Sequence, residues 1–132
     1  MNISQAQTMQ VLKVIEGTVV KGAFMGRKIG FPTINVAYVN LDMPFGIYIS
    51  RVQTPLGTYK GALHFGPRLV FGIEEPSLEV FLLDFNDDLY GQKVIVEVYD
   101  KIREVRNFEN LDSLKRQIRL DVECVKEADL VL

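Results

Sequence analysis

From residue 11 onward, apolar and polar residues alternate in short runs, each closed by glycine, proline or asparagine. A period of two places successive side chains on opposite faces of a strand. Residues 11–20 read this way, with Val11, Val14, Ile15, Val19 and Val20 as strand formers interrupted at Gly17. Residues 33–39 form a second, shorter strand, and residues 40–44 (NLDMP) a turn. Residues 45–53 alternate as a third strand. Pro55 and Gly57 then signal a hairpin, and residues 59–65 return as the fourth. Residues 66–77, with Pro67, Gly72 and Pro76, read as a long loop. Residues 78–85 (LEVFLLDF) are a strongly apolar strand, residues 86–88 an acidic turn, and residues 93–103 a half-buried strand.

Only the end of the chain changes period. Leu111, Leu114, Ile118, Val122 and Val125 recur at spacings of three and four, one face of a helix over residues 111–128. Asn110 or Asp112 can cap its start. Six short strands followed by one helix predict a mainly β fold, a small closed or nearly closed antiparallel barrel, since closure removes exposed strand edges. The helix lays its apolar stripe on that barrel. Residues 1–10 are polar and read as a flexible arm, leaving residues 11–132 as a single domain.

Composition narrows the function without naming it. The chain has 132 residues, 48% hydrophobic and 24% charged, ordinary for one globular domain with a real core. A formal charge of −2 gives no overall pull toward nucleic acid, and none is expected as a partner. No apolar run approaches the ~20 residues of a membrane span. The single Cys124 precludes an intrachain disulfide, which suits a reducing cytoplasm. Cys124 reads as a small packing residue of the helix. With one His64 and one Cys124, a zinc site built from those ligands is not expected. His64 reads as a structural group beside a site rather than a base.

Chemistry concentrates in residues 22–35, GAFMGRKIGFPTIN. Gly22, Gly26 and Gly30 allow tight turns and close approach of a ligand to backbone N–H groups. Arg27 and Lys28 favour a phosphate-bearing ligand. Thr33 and Asn35 offer the hard oxygens that suit a hydrated Mg²⁺. By glycine spacing alone the segment is equally a β-hairpin with polar turn residues. It is neither a Rossmann fingerprint nor a Walker A loop. A second candidate is Glu79, a carboxylate inside an apolar strand, sharing a face with Phe81 and Leu83. That face is either solvent or the place of a general base.

The string GTVVKGAFMGRKIGFPTINV resembles the opening of the bacterial and eukaryotic riboflavin kinase (flavokinase) family. The likeness continues in order through Pro44, Gly46-Ile47-Tyr48, Tyr59-x-Gly61, residues 78–85, Asp88-Leu89-Tyr90-Gly91, Ile102-Arg103, Phe108, and Leu114-x-x-Gln117-Ile118-x-x-Asp121. It covers about residues 14–127. The resemblance implies a six-stranded Greek-key barrel with a C-terminal helix, and transfer of phosphate from Mg-ATP to the 5′-hydroxyl of riboflavin, giving FMN and ADP. By matched position it implies Glu79 as catalytic base, Thr33 and Asn35 at Mg²⁺ and the ATP phosphates, and Lys21, Gly22, Gly26, Arg27, Lys28 and Gly30 covering those phosphates. Tyr90 would lie near the nucleotide, and Arg103 and Phe108 would wall the flavin ring. The expectation is a cytoplasmic monomer.

Five positions depart from the family's pattern. Leu69 and Val70 stand where Pro-Thr is usual, Phe81 where a His is usual, and Glu104-Val105 where Pro-Glu follows the arginine. All lie on the substrate side. They leave two other readings: a kinase of a different small alcohol, and a flavin- or nucleotide-binding module without catalysis. Only ~15 residues precede the first barrel strand, so the ~100-residue adenylyltransferase domain that many bacterial members carry is not expected in this chain.

Overall fold

The computed structural model describes residues 9–22 and 25–132. Its strands are β1 (Lys13–Val20), β2 (Ile34–Val36), β3 (Gly46–Thr54), β4 (Gly57–Arg68), β5 (Ile73–Leu82) and β6 (Lys93–Arg103). One helical turn, α1 (Met25–Lys28), sits between β1 and β2, and α2 (Leu111–Glu127) follows β6. The strands close a barrel in the order β1-β2-β5-β4-β3-β6, every pairing antiparallel. The hairpin-linked strands β3, β4 and β5 lie side by side, and β6 returns by a longer connection to lie beside β3, the expected Greek key.

Alternation along each strand divides two cores. Inside the barrel are Val52, Leu63, Leu78, Val80, Val94, Val96 and Val98, with Tyr48 and Phe65. On the outer wall Ile49, Leu83 and Tyr99 pack with Phe31, Ala62 and Phe81 against Ile118, Val122 and Val125 of α2. The helix is capped by Asn110, whose side chain accepts from Ser113 N at 2.9 Å. At its other end Lys60 Nζ donates to the carbonyls of Lys126 (3.1 Å) and Ala128 (2.7 Å).

Three expectations change. The long loop over residues 66–77 is mostly strand: β4 runs to Arg68, which pairs with Ile73, and a three-residue 3₁₀ turn (Leu69–Phe71) joins the strands. A register shift between Gly66 and Arg68 accommodates Pro67, as bulges do. Cys124 is exposed on α2 rather than packed. Most of the arm expected over residues 1–10 lies outside the described residues, but Met9 packs against the outer core.

Gly61 shows how tightly the barrel closes. A Cβ there would collide with Val80 Cγ1 and come within 2.9 Å of Ser50 Oγ, which donates to the Gly61 carbonyl at 2.8 Å. Gly61→Ala should therefore cost about 1–3 kcal/mol of stability by overpacking. Urea denaturation monitored by circular dichroism checks this, and an unchanged midpoint would show that the wall can yield.

Candidate active site

Strand register lines up the site before any side chain is placed. Asn35 on β2 lies opposite Glu79 on β5, Glu79 opposite His64 on β4, His64 opposite Ile47 on β3, and Ile47 opposite Arg103 on β6. Directly paired residues share a face. This transverse row therefore carries Asn35, Glu79, His64 and Arg103 on the outer wall, where Phe81 and Ala62 also lie.

Glu79 is its most buried polar member, 7% exposed. Its carboxylate is almost fully bonded. Thr33 Oγ1 donates to Oε1 at 2.8 Å, Ser77 Oγ donates to Oε2 at 2.8 Å, and Arg68 Nε also donates to Oε2. Burial by itself pushes this carboxyl up. The Arg68 charge and the bonds from Arg68, Ser77 and Thr33 outweigh it and hold Glu79 below the usual range. Among the described residues the group is thus an anion with three donors and one open lone-pair direction, on Oε1.

Three clefts converge around it. The first, largely apolar, lies beneath α2 and is walled by Phe31, Phe81, Arg103, Phe108 and Leu114, among others. The second is lined by Lys21, Gly22, Arg27, Thr33, Asn35 and residues 85–90. The third runs past Asn35, Arg68, Ser77 and Glu79. Thr33 lines both the first and the second, Asn35 the second and third, and Arg68 the first and third.

The segment 22–35 makes this geometry possible. A Cβ on Gly22 would overlap the Asn35 side chain, so glycine is what lets Asn35 lie against the backbone there. Phe31 N donates to Gly26 O at 2.7 Å, folding the segment back so that Thr33 reaches Glu79. Gly26 faces the first cleft rather than the second, while Lys28 and exposed Gly30 (φ +90°) line none of the three. Tyr90 is 51% exposed, with Lys21 Nζ 5.3 Å from its ring centroid. Asp87 accepts from Asp88 N (2.7 Å) and Asp88 from Tyr90 N (2.8 Å), so these carboxylates shape the turn that presents Tyr90.

Across the first cleft, Arg103 is clamped by Asp121 of α2. Its Nε lies 3.0 and 3.1 Å from the two carboxylate oxygens, and its Nη2 2.8 Å from Oδ2. Asp121 is only 2% exposed, so the pair pins the helix to the end of β6. Two guanidinium groups lie over the Phe108 ring, Arg103 Cζ 5.6 Å and Arg106 Cζ 4.9 Å from its centroid. Arg68, Ser77 and Arg106 were not singled out from sequence. The strand pairing beyond Gly66 brings Arg68 to Glu79, and the start of β5 at Ile73 puts Ser77 on the same strand face as Glu79.

Two oxygens suit a magnesium ion. Thr33 gives its proton to Glu79 and keeps hydroxyl lone pairs, and Asn35 contributes a neutral amide oxygen at the same junction. Among the described residues no group of three or more His, Cys, Asp or Glu could hold a metal. Magnesium bound through few protein oxygens and the phosphates of a ligand needs no such cage.

Residues 11–128 match the sequence model of the flavokinase (riboflavin kinase) family, and the chain belongs to that family. It is 40% identical over 115 residues to the RNA-binding riboflavin kinase RibR of Bacillus subtilis, across 86% of this chain and 50% of that protein. It is 38% identical over 112 residues to the bifunctional riboflavin kinase/FMN adenylyltransferase of the same organism, across 81% of this chain and 35% of the relative. The crystal structure of riboflavin kinase from Trypanosoma brucei shares the fold, with a TM-score of 0.60 at 23% identity over 86% of this chain and 77% of that one. The chain spans half or less of the length of the two curated relatives. Among the described residues no helix is long and apolar enough to cross a membrane.

His64 supplies a pH test of the site's electrostatics. Its Nδ1 is buried without a hydrogen-bond partner among the described residues. Burial, helped by the Arg68 charge and opposed by Glu79, pushes the imidazole from 6.5 down to about 4. Between those values the unfolded chain binds a proton that the folded chain refuses, so stability falls as pH falls. From pH 7 to pH 5 the loss should be roughly 2 kcal/mol, and His64→Gln should abolish most of that slope. Denaturant titrations of both proteins at the two pH values check it.

Proposed function

We propose that this domain transfers the γ-phosphoryl group of Mg-ATP to the 5′-hydroxyl of riboflavin, giving FMN and ADP. The observation that carries this reading is the Thr33–Glu79 bond at the only one of the described residues that the first and second clefts share. The apolar first cleft, with Phe31, Phe81 and the Arg103–Phe108 wall, suits a flat conjugated ring. The second, with Lys21, Arg27 and Tyr90, suits a nucleotide, its phosphates toward Gly22, Thr33 and Asn35.

Glu79 is the group that receives the acceptor hydroxyl. Oε2 is taken by Arg68 and Ser77, so the hydroxyl would donate to the open direction on Oε1, beside Thr33. A carboxylate held low is a weak base toward an alcohol. It orients the hydroxyl first and takes its proton late, as the new O–P bond forms and the bond to ADP breaks. Thr33, with its proton committed to Glu79, would present its lone pairs to Mg²⁺, with Asn35 beside it. When bound, the metal supplies charge stabilisation at the β- and γ-phosphate oxygens. Most of the rate then comes from positioning across the junction.

Leu69, Val70, Phe81 and Val105 line the first cleft, so four of the five departures from the family pattern fall where the acceptor would sit. That observation favours, as a second reading, a kinase of a related alcohol.

Incubation with riboflavin, ATP and Mg²⁺, with chromatography for FMN, tests the proposal. FMN formation supports it, and ATP turnover only with another alcohol supports the second reading. Flavin binding with no turnover would point to a binding module. Glu79→Gln should lower kcat by roughly tenfold or more with KM for ATP nearly unchanged. Steady-state kinetics showing normal turnover would remove Glu79 from the base role. Thr33→Val should raise the Mg²⁺ concentration needed for half-maximal rate or abolish activity, and an unchanged requirement would sink the ligand assignment.

A further inference from the structure

Arg68 is in direct contact with the buried carboxylate and also borders the first and third clefts. It is the last residue of β4, set by the bulge after Gly66 and by its pairing with Ile73. Its side chain is only 12% exposed. Its Nε points at Oε2 of Glu79, the oxygen that Ser77 also bonds from two residues earlier on β5. Both donors thus sit on one oxygen, and among the described residues Thr33 alone sits on the other. Two donors from two different strands fix the carboxylate plane in a way that neither could alone.

We propose that Arg68 is a positioning residue: with Ser77 it fixes the carboxylate of Glu79 so that Oε1 stays on Thr33 and open to the junction of the three clefts. This rests on the role given to Glu79 above. Although Arg68 borders the first cleft, its Nε is committed to Oε2 of Glu79, so it acts on the reaction through that carboxylate. Removal of Arg68 should therefore change the rate of the chemical step and leave substrate binding alone. A lysine at this position keeps the charge but lacks the planar fork, so it should restore only part of the rate.

The test is a double-mutant cycle on the intact chain, following FMN formation from riboflavin and Mg-ATP, with a thermal melt of each variant. Arg68→Met should lower kcat by roughly tenfold or more, with both KM values within about twofold of wild type. Arg68→Lys should fall between the two. In the Glu79→Gln background, Arg68→Met should change kcat by less than about twofold. Should Arg68→Met fail to fold because it strands a buried anion, Arg68→Lys and the double variant, which carries no unpaired charge, complete the comparison. Multiplying effects in the cycle, or a change confined to KM, would mean that Arg68 touches substrate and would overturn the proposal. An unchanged kcat in Arg68→Met, with FMN made by wild type, overturns it alone. No FMN from wild type removes it together with the kinase reading.

Discussion

A carboxylate as enclosed as that of Glu79 stays in place only if donors replace the water it has lost. Here they come from three separate places: Thr33 from the segment before β2, Ser77 from β5 itself, and Arg68 from the end of β4. Ser77 reaches the carboxylate along its own strand, but Thr33 and Arg68 reach it only if the barrel is closed and in register. The site is therefore a consequence of the fold's pairing, and the segment 22–35 is tethered through Thr33 to the wall it must face.

The same register explains how a small barrel builds a site on its outside. Its interior is filled by aliphatic and aromatic side chains. The outer wall of β2, β5, β4 and β6 carries the polar row, and α2 covers the neighbouring apolar surface. The Arg103–Asp121 pair ties that cover to the end of β6, so the helix forms a fixed wall of the first cleft. Family membership agrees with this arrangement. The roles proposed for Glu79, Thr33 and Asn35 rest on the geometry around them and on the matched positions.

Much of this was legible in residue order. The period-2 pattern gave all six strands, and the spacing of Leu114, Ile118, Val122 and Val125 gave the helix face. The alternation around Glu79 also put it on the face of Phe81 and Leu83, away from the inward Leu78 and Val80. What alternation left open was whether that face met water, because α2, the segment before β2 and the end of β4 decide it. The extension of β4 and β5 was hidden because Pro67, Gly72 and Pro76 are turn residues by local chemistry, while pairing across a bulge is a tertiary fact. Arg68 and Ser77 were lost with it. Cys124 was misread because a helix face is fixed by what it packs on, and that position points to solvent.

The central claim is that the segment 22–35 and Glu79 form one site, joined at Thr33. A crystal structure with Mg-ADP and riboflavin bound together tests it most directly. The flavin's 5′-oxygen should lie within ~3 Å of Glu79 Oε1, with Thr33 Oγ1 bound to the metal and the ring beneath α2. A flavin chain directed elsewhere, or a nucleotide whose phosphates avoid Thr33 and Asn35, would contradict it.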